Sequence, residues 1–337
     1  MPRKISNKMP SIGIIGTGFY VPEKILTNKE LTKFVDTSDE WIYQKTGIRE
    51  RRIADSKEAT SDLAIHAAEQ AMHNAGIQAE DLDLIVLATS TPDMIQPATA
   101  PIVQGKIKAF KSAAFDVSAV CAGFVYATSV AYSMMRTNKN YKKTLVIGAE
   151  TYSRILDWTD RTTCVYFGDG AGAVVLSKVK DGFGIQNYYL QNDGRGADII
   201  KFLAGGSRYP ATPETLAKNM HRFEMQGKQV WDFAVKVLPL SIKKVIEEAG
   251  KTIQDIDLII SHQANINIIK VSLDKLGLSM EKTYTNMDRY GNTSGASIPI
   301  ALSEAHQKGL LKKGDNVVLV GFGGGLSYGA VYLKWAL

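Results

Sequence analysis

Two stretches of this chain repeat one pattern at a fixed distance. Residues 75–86 read AGIQAEDLDLIV, and residues 249–260 read AGKTIQDIDLII. The Ala-Gly pair, two aspartates and the apolar run coincide at a shift of 174 residues, the distance from Gly76 to Gly250. A second echo, Gly172-Ala173-Val174-Val175-Leu176 against Gly329-Ala330-Val331-Tyr332-Leu333, closes each half. A period this long is not that of a solenoid, whose units run to roughly 20–50 residues. It predicts two similar α/β layers, each a helix-covered sheet, packed into one body. The expected division is 1–180 and 181–337, with a surface excursion at about 191–227, where Gly, Asn, Asp and Pro accumulate. A chain of 337 residues, 45% of them hydrophobic, can bury a core that both halves share.

Apolar runs predict buried strands at Leu84–Ala88, Thr144–Gly148, Gly172–Leu176, Leu258–Ser261, Thr283–Met287 and Val317–Val320. Ile12–Ile15 reads as a strand ending in a turn at Gly16-Thr17-Gly18. A dinucleotide fingerprint would need a third glycine where Val21 stands. Thr60-Ser61-Asp62 has the chemistry to cap a helix that runs to Asn74 and stops near Gly76. Asp36–Arg52 reads as a short helix and loop carrying Trp41 and Lys45.

The most informative single residue is Cys121. A short run, Ala114–Val117, has strand character, and small residues lead from it to Cys121, which opens an apolar helical stretch. A thiol at a helix N-terminus faces unpaired N–H groups and the positive end of the macrodipole, so its pKa is expected below the usual ~8.5. The same N–H groups could hold an oxyanion formed when a thiolate attacks a carbonyl. The competing reading is a core cysteine acting as a small hydrophobe. Other polar and glycine-rich residues follow predicted strands of the second half: His262-Gln263-Ala264-Asn265, Gly291-Asn292-Thr293-Ser294 and Gly321-Phe322-Gly323-Gly324-Gly325. Duplication puts equivalent strand ends at one seam, so cysteine, histidine and asparagine there form a sharper signal than any one alone.

Bulk properties narrow the setting. Two cysteines, Cys121 and Cys164, exclude a disulfide scaffold and fit a reducing, cytoplasmic location. The basic N-terminus lacks the apolar region of a signal peptide, and no run approaches the roughly 18 apolar residues of a membrane span. Net charge of +6 and a pI near 9.0 favour anionic partners. The charges are interspersed, so an anionic cofactor or acidic carrier protein accounts for them as well as nucleic acid would.

Taken together, DTSDEW (36–41), TGIRERR (46–52), the Cys121 turn, TDR with FGDGAGA (159–173), HQAN (262–265), GNTS (291–294) and GFGGG (321–325) resemble the thiolase-fold condensing enzymes. The similarity is closest to the 3-oxoacyl-(acyl-carrier-protein) synthase III family and covers about Gly13 to Trp335. It implies a five-layer α-β-α-β-α fold, a cytoplasmic homodimer, and Cys121, His262 and Asn292 as catalytic residues. It further implies an oxyanion hole from the N–H groups of Cys121 and Gly324, with Phe322 and Gln96 at the gate and tunnel. Coenzyme A contacts are implied at Trp41, Lys45, Arg161 and Asn265, without metal or redox cofactor. The substrates would be acyl-coenzyme A and malonyl-acyl carrier protein, with neither nucleic acid nor membrane as partner.

Three departures qualify the resemblance. Gln96 stands where relatives often have phenylalanine, and Lys45 where some have arginine. In the carrier-docking patch, Asn267 and Asp232 stand where an arginine and a lysine are common, leaving Lys236, Lys270 and Lys275 as the expected docking charges. Two other functions stay open here. One is a secondary-metabolite condensing or ester-forming enzyme using the same three residues; the other is an inactive thiolase-fold partner subunit.

Overall fold

The computed structural model describes residues 9–337, so the first eight residues of the basic N-terminus lie outside the described residues. A five-stranded sheet is built from β1 (Ile12–Tyr20), β2 (Leu84–Ala88), β3 (Ala113–Val117), β4 (Lys143–Thr151) and β5 (Asp169–Lys178), in the order β1-β5-β4-β2-β3. Beyond it come β6 (Gly184–Asn192) and a hairpin of β7 (Ile200–Phe202) and β8 (Phe223–Met225). The second sheet takes β9 (Leu258–Ser261), β10 (Asn316–Gly323) and β11 (Ser327–Lys334), in the order β9-β10-β11-β6. Read from β1 and from β6, the two sheets share one order and one pattern of parallel and antiparallel neighbours.

The principal helices are α1 (Asp39–Thr46), α2 (Thr60–Ala75), α3 (Thr99–Lys106), α4 (Gly123–Thr137), α5 (Gly227–Glu247), α6 (Ile266–Asp274) and α7 (Ser297–Gln307). Strand alternation sorts them into layers. Leu145 and Ile147 of β4 point outward to the alanine stripe of α2 and to α3, whereas Val146 points inward. Val317 and Leu319 of β10 point to the same interior, while Val318 and Val320 pack against α5 and α6. The interior holds α4 and α7, both apolar on several faces, as a buried middle layer requires. The result is five layers, α-β-α-β-α, as the resemblance implies. Burying each large aliphatic side chain stabilises it by about 1.5–3 kcal/mol, so both sheets depend on these two central helices.

Several local expectations are corrected. Gly16 and Gly18 do not turn the chain; they lie within β1, where a Cβ would strike the backbone of α2 at Ala67 and Ala71. Their role is close helix–sheet approach, which a strand-then-turn reading cannot anticipate. Thr283–Met287 is not a strand: it makes a single bridge from Thr283 to Ile259, and the chain turns helical at Met287. The stretch 191–227 is more than a surface excursion, since its hairpin carries Ile200, Phe223 and Met225 into a cavity wall. The N-cap of α2 lies one residue before the expected Thr60: it is Ala59, and the Asp62 carboxylate accepts the Ala59 N–H at 2.9 Å.

Candidate active site

β3 runs out at Val117, and the chain reverses through a single 3-10 turn, Val120–Ala122, before α4 begins at Gly123. Val120 has φ +49°, a left-handed value that costs a β-branched residue energy and is sustained only by its surroundings. Glycines crowd the next residue of the turn. A Cβ on Gly323 would lie 2.7 Å from the Cys121 nitrogen, and one on Gly321 would lie 3.2 Å from the Cys121 carbonyl oxygen. The glycine-rich end of β10 therefore presses its backbone against the cysteine turn.

His262 follows β9 and extends its ladder, its N–H donating to the Val320 carbonyl at 2.8 Å. Its Nδ1 is 2.7 Å from the Ser297 hydroxyl, whose oxygen also accepts the Gln263 N–H at 3.3 Å. That arrangement favours the tautomer with the ring proton on Nε2, the atom left free to donate. Asn292 is pinned on both sides: its N–H donates to Tyr166 O at 2.8 Å, and its carbonyl accepts from Gly168 at 3.1 Å. Its side-chain oxygen accepts the Ser294 N–H at 2.8 Å, which leaves the amide nitrogen as the available donor. Cys121, His262 and Asn292 line one cavity of about 120 Å³ with Tyr152, Phe167, Phe223, Trp231 and Phe322.

The electrostatics overturn one expectation. Burial pushes the Cys121 thiol up to about 12; the hydrogen bond with Ser294 opposes that shift, and the Glu150 carboxyl adds to it. The α-helix itself starts two residues later, at Gly123, and Cys121 is only 7% exposed. In the free protein this residue is a thiol. Burial also lowers His262 to about 3, so its imidazole is neutral. Glu150, which no motif pointed to, is fully buried beside Cys121, and burial raises its pKa. Its only signal in the sequence was an acid inside the apolar run Leu145–Thr151.

A family model described as 3-oxoacyl-[acyl-carrier-protein (ACP)] synthase III matches residues 115–194, and its C-terminal counterpart matches residues 246–335. The beta-ketoacyl-[acyl-carrier-protein] synthase III of Caldanaerobacter subterraneus subsp. tengcongensis is 52% identical over 96% of this chain and 98% of its own. This chain belongs to the 3-oxoacyl-[acyl-carrier-protein] synthase III family. The synthase III of Clostridioides difficile is likewise 52% identical, over 96% of this chain and 98% of its own. The crystal structure of 3-oxoacyl-[acyl-carrier-protein] synthase III from Aquifex aeolicus superposes with a TM-score of 0.89 at 42% identity, over 96% of this chain and all of that one.

The remaining positions singled out by resemblance to the synthase III family fall into distinct places. Phe322 stands edge-on to the His262 ring, with centroids 5.3 Å apart. Gly324 follows the cavity-lining Gly323 and packs against Ile200. Arg161 lies over the Trp41 ring at 5.2 Å, on the surface. Asn265 lines the cavity, caps α6 by accepting the Asn267 N–H at 2.9 Å, and donates to the Lys45 carbonyl at 2.9 Å. The Lys45 side chain is exposed, as is Gln96. Lys236, Lys270 and Lys275 are all exposed, and Lys275 reaches α5 by donating to Val235 O at 2.9 Å. Cys164 is buried outside the cavity lining. Among the described residues, no cluster of His, Cys, Asp and Glu is arranged to hold a metal, and no helix is long and apolar enough to cross a membrane.

Proposed function

We propose that this chain performs the condensation that initiates fatty-acid synthesis, passing an acyl group from acyl-coenzyme A through Cys121 to the malonyl group of malonyl-acyl carrier protein. As a synthase III family member it is a condensing acyltransferase. One observation carries the assignment of roles: a cysteine from one half meets a histidine and an asparagine from the other in a single apolar cavity. Cys121 sulfur attacks the primer thioester, and coenzyme A leaves. The N–H groups of Cys121 and Gly324 are our assignment for the oxyanion. Malonyl thioester then enters, and its oxygen receives hydrogen bonds from His262 Nε2 and the Asn292 amide as carbon dioxide departs. A neutral donor pair suits an enolate, because it stabilises developing charge without first surrendering a proton. The carbanion attacks the acyl-Cys121 carbonyl and gives a 3-oxoacyl thioester. The scheme draws on the thioesters themselves and calls on no separate cofactor.

Coenzyme A is assigned to the face where Trp41 and Arg161 offer a planar aromatic and a cation, with Lys45 and Asn265 bordering the cavity entrance. A cytoplasmic homodimer is part of the proposal. It is supported by the outermost position of β3 and by Met94, Ile95 and Phe110, exposed apolar residues in the connections leading to it. Gln96 and Phe322 are assigned to the acyl tunnel, Gln96 from across that interface. Intact-mass spectrometry with peptide mapping after acyl-coenzyme A treatment is the test. An acyl group on Cys121 is expected; label on Cys164, or on neither cysteine, overturns the assignment. Sedimentation showing only a species near 36.9 kDa would exclude the dimer.

A further inference from the structure

Acylating a resting thiol requires its proton to go somewhere, and later to return. His262 meets Ser297 through Nδ1, and its role above is donation through Nε2. The row of polar atoms that does reach the thiol leads elsewhere. Cys121 Sγ is 3.3 Å from Ser294 Oγ, and Ser294 Oγ is 3.3 Å from Glu150 Oε1. Glu150 has no exposed surface. Its carboxyl group accepts from the Ser90 N–H, at 3.1 Å to one oxygen and 3.2 Å to the other, and from Gly295 N–H at 3.4 Å. The hydroxyls of Thr91 at 2.6 Å, Ser90 at 2.9 Å and Thr89 at 3.3 Å complete the shell. Every one of these is a neutral donor. A buried carboxyl held this way, with no cation among its partners, is well suited to gain and release a proton.

We propose that Ser294 and Glu150 form the proton relay that ionises Cys121 during acylation, a step that rests on the reading of Cys121 as the acylated residue. As sulfur forms its bond to the acyl carbon, the S–H proton passes to Ser294 Oγ and the Ser294 hydroxyl proton passes to Glu150 Oε1. The bond from the acyl carbon to coenzyme A sulfur breaks, and that thiolate takes a proton from water. Condensation runs the relay backwards. The acyl carbon leaves Cys121, the electron pair returns to sulfur, and the proton on Glu150 comes back through Ser294. Burial already holds Glu150 above the ordinary carboxylate range, which makes it a stronger acceptor than an exposed carboxylate. The other titratable group facing this network is Tyr152, joined through Ser90 Oγ at 3.1 Å; burial keeps its pKa well above 10, so it stays protonated.

A purely structural Glu150 would merely fasten the Ser294–Gly295 loop, and the two roles give different results. Single-turnover acylation would be followed by quenched mass spectrometry in H2O and D2O, beside malonyl decarboxylation in the same protein. The relay predicts a normal solvent isotope effect on wild-type acylation. Glu150→Gln and Ser294→Ala are expected to slow acylation on the order of 10²-fold, by a clearly larger factor than decarboxylation. Equal losses in both steps, or acylation at one rate in both solvents, would overturn the relay. If both variants misfold, acylation at one rate in both solvents would still overturn the relay. Absence of any acyl-Cys121 in the wild type would instead remove the reading of the site on which the relay rests.

Discussion

The turn that carries Cys121 and the turn that carries Ser294 are copies of one another. Val120–Ala122 and Ser294–Ala296 are both single 3-10 turns, and α4 and α7 begin directly after them. Val120 has φ +49° and Ser294 has φ +47°, 174 residues apart, the offset of the sequence repeat. The repeat therefore preserved a strained backbone and changed the side chains on it. In the first half the residue after the strained one is Cys121, facing the cavity. In the second half it is Gly295, where a Cβ would meet Glu150 Oε1 at 3.0 Å and Val120 O at 3.1 Å. One copy supplies the nucleophile, while the other has become its support, presenting a serine hydroxyl to the sulfur and Asn292 to the cavity. An identical elbow thus supports two chemistries because the elbows face each other across a shared interior.

The largest effects should come from breaking the donor side of this pair. His262→Ala and Asn292→Ala are each expected to cut malonyl decarboxylation on the order of 10²–10³-fold while Cys121 still acylates. Carbon dioxide release near the wild-type rate in either variant would contradict the division of labour.

A smaller loss is expected from the nucleophile's supports. Gly323 has φ −175°, which any residue adopts, so its need for glycine is spatial. Gly323→Ala should displace Cys121, because the new Cβ would fall 2.7 Å from its nitrogen and 2.9 Å from its Cβ. A displacement of that kind costs on the order of 10²-fold in rate, and it should fall mainly on acylation. Burst kinetics would check it; decarboxylation falling alone would show that Gly323 serves the other elbow.

The two halves should also separate on a pH axis. His262 titrates near 3 in the folded protein against 6.5 ordinarily, so between those values the unfolded chain binds more protons and stability falls as pH falls. Cys121 titrates near 12 against 9.0, so above about pH 9 the folded chain keeps a proton that the unfolded one loses, and stability falls as pH rises. Each limb can contribute up to about 1.4 kcal/mol per pH unit. Urea midpoints across pH, compared with His262→Gln on the acid side and Cys121→Ser on the alkaline side, would measure the two contributions. A variant that leaves its limb unchanged would show that its group does not titrate as described.

What was legible in the sequence follows from the same comparison. The repeat survives in the strands and helix ends that make the sheets, so the layered fold could be read from Leu84–Ala88 and Leu258–Ser261. The meeting of Cys121 and His262 could be expected because both follow strands of related halves, whereas Asn292 follows a short helix, Met287–Tyr290, and its place rested on the resemblance. The thiol's state could not, since it depends on burial, which the local pattern does not report. Glu150 was missed because its partners, Ser90, Thr91, Ser294 and Gly295, come from distant segments and form no motif. The strand expected at Thr283–Met287 failed because apolar spacing does not distinguish one bridge from a ladder.

The smallest effect concerns the exposed face of α5. Lys228, Asp232 and Lys236 recur every four residues along α5, and Asp232 pairs with Lys228 at 2.6 Å. The reversed charge expected at Asp232 is thus partly neutralised by its own helix. Both partners are exposed, and such a pair contributes little to stability, so its consequence is for the local field. Lys275 keeps its charge while donating to the neutral Val235 carbonyl, so the positive field near Asp232 comes from exposed Lys236, Lys270 and Lys275. Asp232→Lys would add two units of positive charge to that stripe. The expected outcome is a rise of a few-fold in carrier-dependent condensation at low ionic strength, diminishing as salt is raised, with the malonyl-coenzyme A reaction changing less. A carrier-dependent rate and salt dependence that do not respond to Asp232→Lys would place the docking surface away from α5.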